Sequence, residues 1–297
     1  MESSSDIATP NAPSDVAHVR KGLGCISSTL LIPLAARAKG HSLFPQLDPD
    51  DEQAKHILHS IGANAQTYLA DWATVLNVLW RTQVIKDMGR AFFERHPHSQ
   101  GVNLGAGLSS YFQWFDNGNN RWLDADLPEV ISLRRLCFHG MPAHCRQHTL
   151  NITQPGWWKR LRLPSGSDAP PVLIICEGVL MYLNAKQVDA LLKEVGENAP
   201  EGSEFIFDFM STVGIGQAMF HPSVHDTGAQ FTWGTNQPHQ LPHAHPRLSL
   251  QSRRSISEVY GWGARFVEQC WKPWLGGPLY GLVRLGVRDH QPTTMSA

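Results

Sequence analysis

GVNLGAGLSS, residues 101–110, is a short apolar stretch that runs straight into a pair of glycines, Gly105 and Gly107. Glycine accepts positive φ and lets other atoms approach the main chain, so a pair placed after a strand marks a sharp strand-to-helix turn. In a doubly wound α/β sheet that turn lies at the carboxyl end of the first strand, where nucleotide-like ligands are met. A dinucleotide fingerprint would continue as GxGxxG, but here Ser110 stands where the third glycine would let helix and strand pack closely. This weakens a pyrophosphate reading, and with it the alternative of a nicotinamide oxidoreductase.

Outward from the glycine turn, short apolar strands alternate with helices, the pattern of a mostly parallel sheet. RWLDAD (121–126) predicts a second strand, AHCRQHTL (143–150) a third, and the aliphatic run in PPVLIICEG (170–178) a central strand covered on both faces. Pro128 opens a helix over PEVISLRRLCF, because proline in a first turn forfeits no hydrogen bond. Asn184 and Gln187 have capping-box spacing before the next helix, and SEFIFDFM (203–210) supplies a fifth strand. Upstream, LLIPLAARA and the long segment 65–96 repeat apolar residues every three or four positions and form a helical layer. Downstream, Ser211–Leu250 is rich in His, Pro, Gly and Gln and reads as an insertion over the carboxyl edge of the sheet. Ser255 and Glu258 repeat the capping-box spacing. ARFVEQCW (264–271) and LYGLVRLGVR (279–288) read as two strands joined by a turn too short for a parallel crossover, so they pair antiparallel.

The expectation is one Rossmann-like α/β domain over 23–290, between a disordered tail at 1–22 and a second tail at 291–297. Within it, 23–97 form the helical layer, 98–210 the ligand-binding core, 211–250 a substrate-side insertion or lid, and 251–290 the closing helix and hairpin. Lysine and arginine number 25 against 26 aspartate and glutamate, so no overall positive field would hold nucleic acid or an anionic membrane. The first 19 residues contain no Lys, Arg or apolar run, unlike a secretory signal, and Val172–Cys176 is far too short to cross a bilayer. Five cysteines without a CxxC fit reduced thiols in a cytoplasm. A soluble, cytoplasmic protein acting on a small molecule is therefore expected, with its oligomeric state open.

Three carboxylates fall at predicted strand tips. Asp124 and Asp126 follow Gly105 by about 20 residues, close to the spacing at which an acid accepts hydrogen bonds from ribose hydroxyls. Asp126 reads equally as a cap for the helix that Pro128 begins. Glu177 ends the central apolar run, where a charge is more often functional than decorative.

Taken together, VNLGAG, WLDADLPEVISLRR, LIICEGVLMYL and the upstream RTQVIKDMGRAFF resemble, in that order and spacing, the leucine carboxyl methyltransferase family and its tetracenomycin-type polyketide O-methyltransferase branch. The resemblance runs from about residue 26 to 210. It implies a class I methyltransferase fold, S-adenosyl-L-methionine as cofactor, and methyl transfer to a carboxylate or hydroxyl oxygen of a small molecule. The alternatives are a protein C-terminal carboxyl methyltransferase and a non-catalytic S-adenosylmethionine-binding protein. The resemblance assigns Gly105 and Gly107 to close approach by the amino-acid end of the cofactor and Asp126, beside Asp124, to polar contacts. It places Glu177 near the methionine moiety and pairs Arg81 with the cofactor carboxylate. The family's acidic residue after the third strand is replaced by Thr149-Leu150-Asn151, and its Asp after the glycine turn by Ser109.

The insertion carries His221, His225, His239, His243 and His245. A zinc site built on His243-x-His245 is set aside, because no Cys or acid completes a recognisable spacing, and no metal is expected. On the substrate side, Phe220, Phe231 and Trp233 wall an apolar pocket or tie the insertion to the core, with His221 and His225 beside them, and the histidines of the insertion become base candidates if the acceptor is a phenol. A carboxylate acceptor is already ionised near neutral pH and needs no base.

Overall fold

A computed structural model describes residues 24–138, 140–216 and 230–289. Its seven-stranded sheet has the order β3-β2-β1-β4-β5-β7-β6. The first five strands are β1 (Gln100–Leu104), β2 (Arg121–Asp126), β3 (Cys145–Thr149), β4 (Val172–Cys176) and β5 (Glu204–Met210). They run parallel, while β7 (Tyr280–Val287) pairs antiparallel with both β5 and β6 (Leu248–Ser255).

Helices cover both faces. In chain order they are α1 (Gly24–Lys39), α2 (Glu52–Ser60), α3 (Gln66–Leu69), α4 (Trp72–Arg95), α5 (Phe112–Phe115), α6 (Pro128–Cys137), α7 (Trp157–Arg160), α8 (Ala185–Asn198) and α9 (Gly261–Leu275). Strand side chains alternate between faces. Val102, Leu104, Ile174, Phe205 and Phe207 pack on one face with Trp157, Trp158 and the apolar stripe of α8. Leu173, Ile175 and Ile206 face the other way, onto Trp80, Ile85, Phe92 and Phe93 along α4. The same alternation sends Asn103, Asp124, Glu177 and Asp208 to the α4 side, all toward the carboxyl ends of their strands. Where Trp157, Trp158 and α8 cover it the first face is hydrocarbon, with Arg121, Arg146 and His148 continuing it at the β2–β3 edge; the other face turns polar at its tip.

The local signals set several boundaries. Pro128 occupies the first turn of α6. Asn184 and Gln187 form a reciprocal capping box at α8, and Ser255 with Glu258 forms another on the 3-10 turn after β6. Asp71 caps α4, accepting the Thr74 amide.

The segment ARFVEQCW is not a strand; it lies within α9. Its spacing of Phe266, Val267 and Cys270 suits a helix face as well as a strand, the usual ambiguity of a short apolar run. The antiparallel partner of β7 is instead β6, whose first residues, 248–250, fall in the stretch read as insertion. The turn at 276–278 therefore joins a helix to β7. The proposed tails at 1–22 and 291–297 lie outside the described residues. Replacing Asn184 with Ala removes one half of the α8 box and should lower unfolding free energy by about 1 kcal/mol in a urea titration, without changing the far-ultraviolet circular dichroism of the folded state.

Candidate functional site

Gly105 and Gly107 both adopt positive φ, 68° and 50°. A Cβ on Gly105 would sit 2.4 Å from Val179 Cγ2, so the room left by its missing side chain is already held by the loop after β4. The turn is fixed from three sides. Gly107 N donates to Asp126 Oδ2 at 2.7 Å. Asn103 Nδ2 donates to Ser109 Oγ, which in turn donates to Ala106 O. Arg134 of α6, with no exposed surface, donates through Nη1 to the carbonyls of Gly107 and Ser109, both at 2.8 Å.

Asp124 completes this scaffold. Its Oδ2 accepts from Arg134 Nη2 and its Oδ1 from the Trp122 indole. The carboxylate thereby holds the guanidinium that holds the turn, and Asp124 does not line the cavity described below. Asp126 does line it. Its Oδ1 accepts the Leu127 amide at 2.7 Å, yet the N-cap of α6 is Leu127, which has no side-chain cap. Asp126 thus braces the turn rather than capping the helix. Burial pushes its carboxyl above the ordinary aspartate range, partly offset by the amides of Gly107 and Leu127.

Beside the turn opens a cavity of about 830 Å³. A second charged cluster forms its wall. Arg81 of α4 donates from Nε to Glu177 Oε1 at 2.5 Å, and from Nη1 to Asp208 Oδ2 at 3.3 Å and to the Tyr280 hydroxyl at 2.9 Å. Tyr111 donates to the other Glu177 oxygen at 2.6 Å, the Gly178 amide donates to Asp208 Oδ1 at 2.7 Å, and Tyr280 donates to Asp208 Oδ2. Burial alone would raise the Glu177 carboxyl, but the guanidinium groups of Arg81 and Arg37 and the Tyr111 hydroxyl outweigh it and leave Glu177 below the ordinary glutamate range. Burial wins at Asp208, which is raised despite Arg81 and the Tyr280 hydroxyl. Glu177 is therefore the more acidic of the pair.

Arg37, 2% exposed on α1, also lines the cavity; it donates to Asp51 Oδ2 and Leu108 O, each at 3.0 Å. Sequence reasoning passed over Arg37, Tyr111, Asp208 and Tyr280. Asp208 had a readable signal, a carboxylate inside the apolar run FIFDFM.

The structure brings Arg81, Gly105, Gly107, Asp126, Leu150 and Glu177 to this one cavity, along with Ser109 and Asn151. Thr149 is exposed and outside the lining. Phe231 lines the cavity, whereas Trp233 is buried in the core, its amide donating to Met181 O at 3.2 Å. Phe220, His221 and His225 lie outside the described residues. His239 and His243 are exposed away from the cavity, and the His245 ring packs against Gly196 of α8.

Residues 12–196 match the leucine carboxyl methyltransferase family over more than half of the chain. The chain belongs to that family. Among relatives, the tetracenomycin polyketide synthesis O-methyltransferase TcmP of Streptomyces glaucescens is 25% identical over 262 residues, covering 88% of this chain and 93% of that protein. The S-adenosyl-L-methionine-dependent methyltransferase dpfgK of Gibberella zeae is 27% identical over 266 residues, covering 80% and 87%. The crystal structure of a putative methyltransferase from Thermobifida fusca shares the fold with a TM-score of 0.50 at 14% identity, over 88% of this chain and 94% of that one. As a member of this family, the protein is an S-adenosylmethionine-dependent methyltransferase.

Two outcomes test the site's electrostatics. Asp124→Ala strands the buried Arg134 guanidinium and should cost about 3–5 kcal/mol in chemical unfolding, while Asp124→Leu combined with Arg134→Met should cost clearly less. Glu177 has a folded pKa below its ordinary value near 4.5, so its stabilisation is present above that value and is lost as pH falls through the lower folded one. The stability gap between wild type and Glu177→Gln, measured by urea titration, should therefore shrink between pH 6 and pH 3.

Proposed function

We propose that the chain transfers a methyl group from S-adenosylmethionine to a carboxylate or hydroxyl oxygen of a small, largely apolar molecule. The observation that carries this reading is the unlike character of the two parts of the cavity wall. Beside the glycine turn, Asp126, Glu177 and the two arginines offer acids and guanidinium groups. Ile32, Pro33, Val78, Met181, Phe231 and Leu279 offer hydrocarbon. A volume of about 830 Å³ lies toward the upper end of the roughly 300–1,000 Å³ spanned by small-molecule sites, which suits a cofactor and an acceptor together. The name of TcmP, a polyketide O-methyltransferase, agrees with an apolar acceptor.

The residues present fit the cofactor. Asp126 has oxygen lone pairs beyond those used by two amides, and Glu177 stays anionic beside the space a cation would occupy. When bound, S-adenosylmethionine supplies an electrophilic methyl on a sulfonium. Arg81 and Tyr111 hold the Glu177 carboxylate in one orientation, so its charge is preorganised. The apolar side chains exclude water and align the acceptor, which is the main demand of an in-line displacement that destroys charge. No acid–base dyad is required where the acceptor oxygen is a carboxylate. Burial lifts the Cys137 thiol to about 11, and Cys145 and Cys176 are buried and raised as well, so these thiols are unreactive core residues and supply no nucleophile.

S-Adenosylhomocysteine should bind in a calorimetric titration, with Asp126→Ala and Glu177→Ala each weakening it about tenfold or more. Labelled methyl should then pass from S-adenosylmethionine to members of a panel of aromatic acids and phenols. Thermal protection by NADH but not by S-adenosylhomocysteine would refute the cofactor assignment, and transfer confined to peptide C-termini would refute the small-molecule one.

A further inference from the structure

Away from the carboxyl-end cavity, a second cleft of about 740 Å³ lies over the first residues of β1 and β2 and along β3. Arg121, Arg146, Arg160 and Arg162 line it with His144 and His148, and no Asp or Glu is among its lining residues. Arg160 is tethered to Gln154 by two hydrogen bonds, and His144 to Asp116 at 3.0 Å. Arg121, Arg146 and Arg162 have no ion pair or side-chain hydrogen bond to any described residue, in a chain whose formal net charge is −1. Gln147, also in the lining, has a buried side-chain oxygen that no described donor meets.

Arg162 stands out by its backbone. It follows α7 as the residue just past the C-cap Leu161, with φ of 53°. Its amide donates to Lys159 O at 3.0 Å and the Leu163 amide to Trp158 O at 3.3 Å, the paired bonds of a Schellman motif. Glycine normally fills this left-handed position, because a Cβ is strained there. Arginine in its place points to a role for the side chain, in keeping with the clustering of backbone strain at binding sites.

We propose that this cleft is a second binding site, for the oxyanions of a compact phosphate-bearing small molecule. Guanidinium forks match phosphate oxygens bidentately, and arginines from three separate segments converge on one concavity without carboxylates to neutralise them. A competing account is that arginines on β3, an edge strand, only prevent sheet-to-sheet association.

Pyrophosphate is the probe, titrated calorimetrically into the full chain at constant ionic strength. Saturable binding near one equivalent is expected, weakened at least fivefold by Arg146→Gln and by Arg162→Gly. Arg162→Gly should also raise the melting temperature by about 2 °C, since glycine relieves the left-handed backbone; affinity falling while stability rises separates a binding role from a structural one. The proposal is overturned by a response no larger than that of chloride at matched ionic strength. It is equally overturned by binding that survives both substitutions, or by variants that self-associate with pyrophosphate affinity unchanged.

Discussion

A guanidinium wholly removed from water must find acceptors inside the protein, and both Nη groups of Arg134 find them in the carbonyls of the glycine turn and in Asp124. That requirement ties β2, α6 and the turn after β1 into one unit. Asp126 can then receive the Gly107 amide because the turn is already in place. The rest of the cavity is built outward from this rigid corner. Val179 fills the space beside Gly105, and Arg37 reaches the Leu108 carbonyl from α1.

The charges around the cavity are organised as two arginine systems with different tasks. Arg134 and Asp124 are sealed and structural. Arg81, Glu177, Asp208, Tyr111 and Tyr280 are also tightly bonded, but three of these, Arg81, Glu177 and Tyr280, border open space, with Asp208 and Tyr111 standing behind. Because Arg81 already answers both acids, the wall presents a fixed field rather than a loose charge that must reorganise when a ligand arrives. The opposite displacements of Glu177 and Asp208 follow from their neighbours: two guanidinium groups and a phenol act on the first, while full burial dominates the second.

Much of this was legible in the sequence where a residue's role depends on near neighbours. VLIIC reads as a buried strand because its run is short and aliphatic, and Pro128, Asn184 and Ser255 announce helix starts by local chemistry. β6 was not legible because the apolar alternation of LSLQSRRS stops at Leu250, where a bulge shifts the register and only polar residues follow. ARFVEQCW misled for the converse reason, carrying apolar spacing compatible with either period. In the cavity wall, Gly105, Asp126 and Glu177 could be picked out by their position at strand tips. Arg81 could be picked out only through family resemblance; its partner Asp208, 127 residues further on, was marked only as a carboxylate inside an apolar strand, and Tyr280, 199 residues on, offered no local pattern.

The placement of β7 between β5 and β6 has a consequence for how the protein comes to be made. Tyr280 enters the Arg81 cluster only when the penultimate stretch of sheet is inserted between two strands that precede it in the chain, and Leu30 to Arg37 supply the opposite wall from near the other end. The wall that Tyr280 completes is unfinished while the nascent chain is still short of β7. Such distant pairing carries a large loop-closure cost and belongs among the slow events of folding, so competence to bind arrives late, as a property of the finished polypeptide.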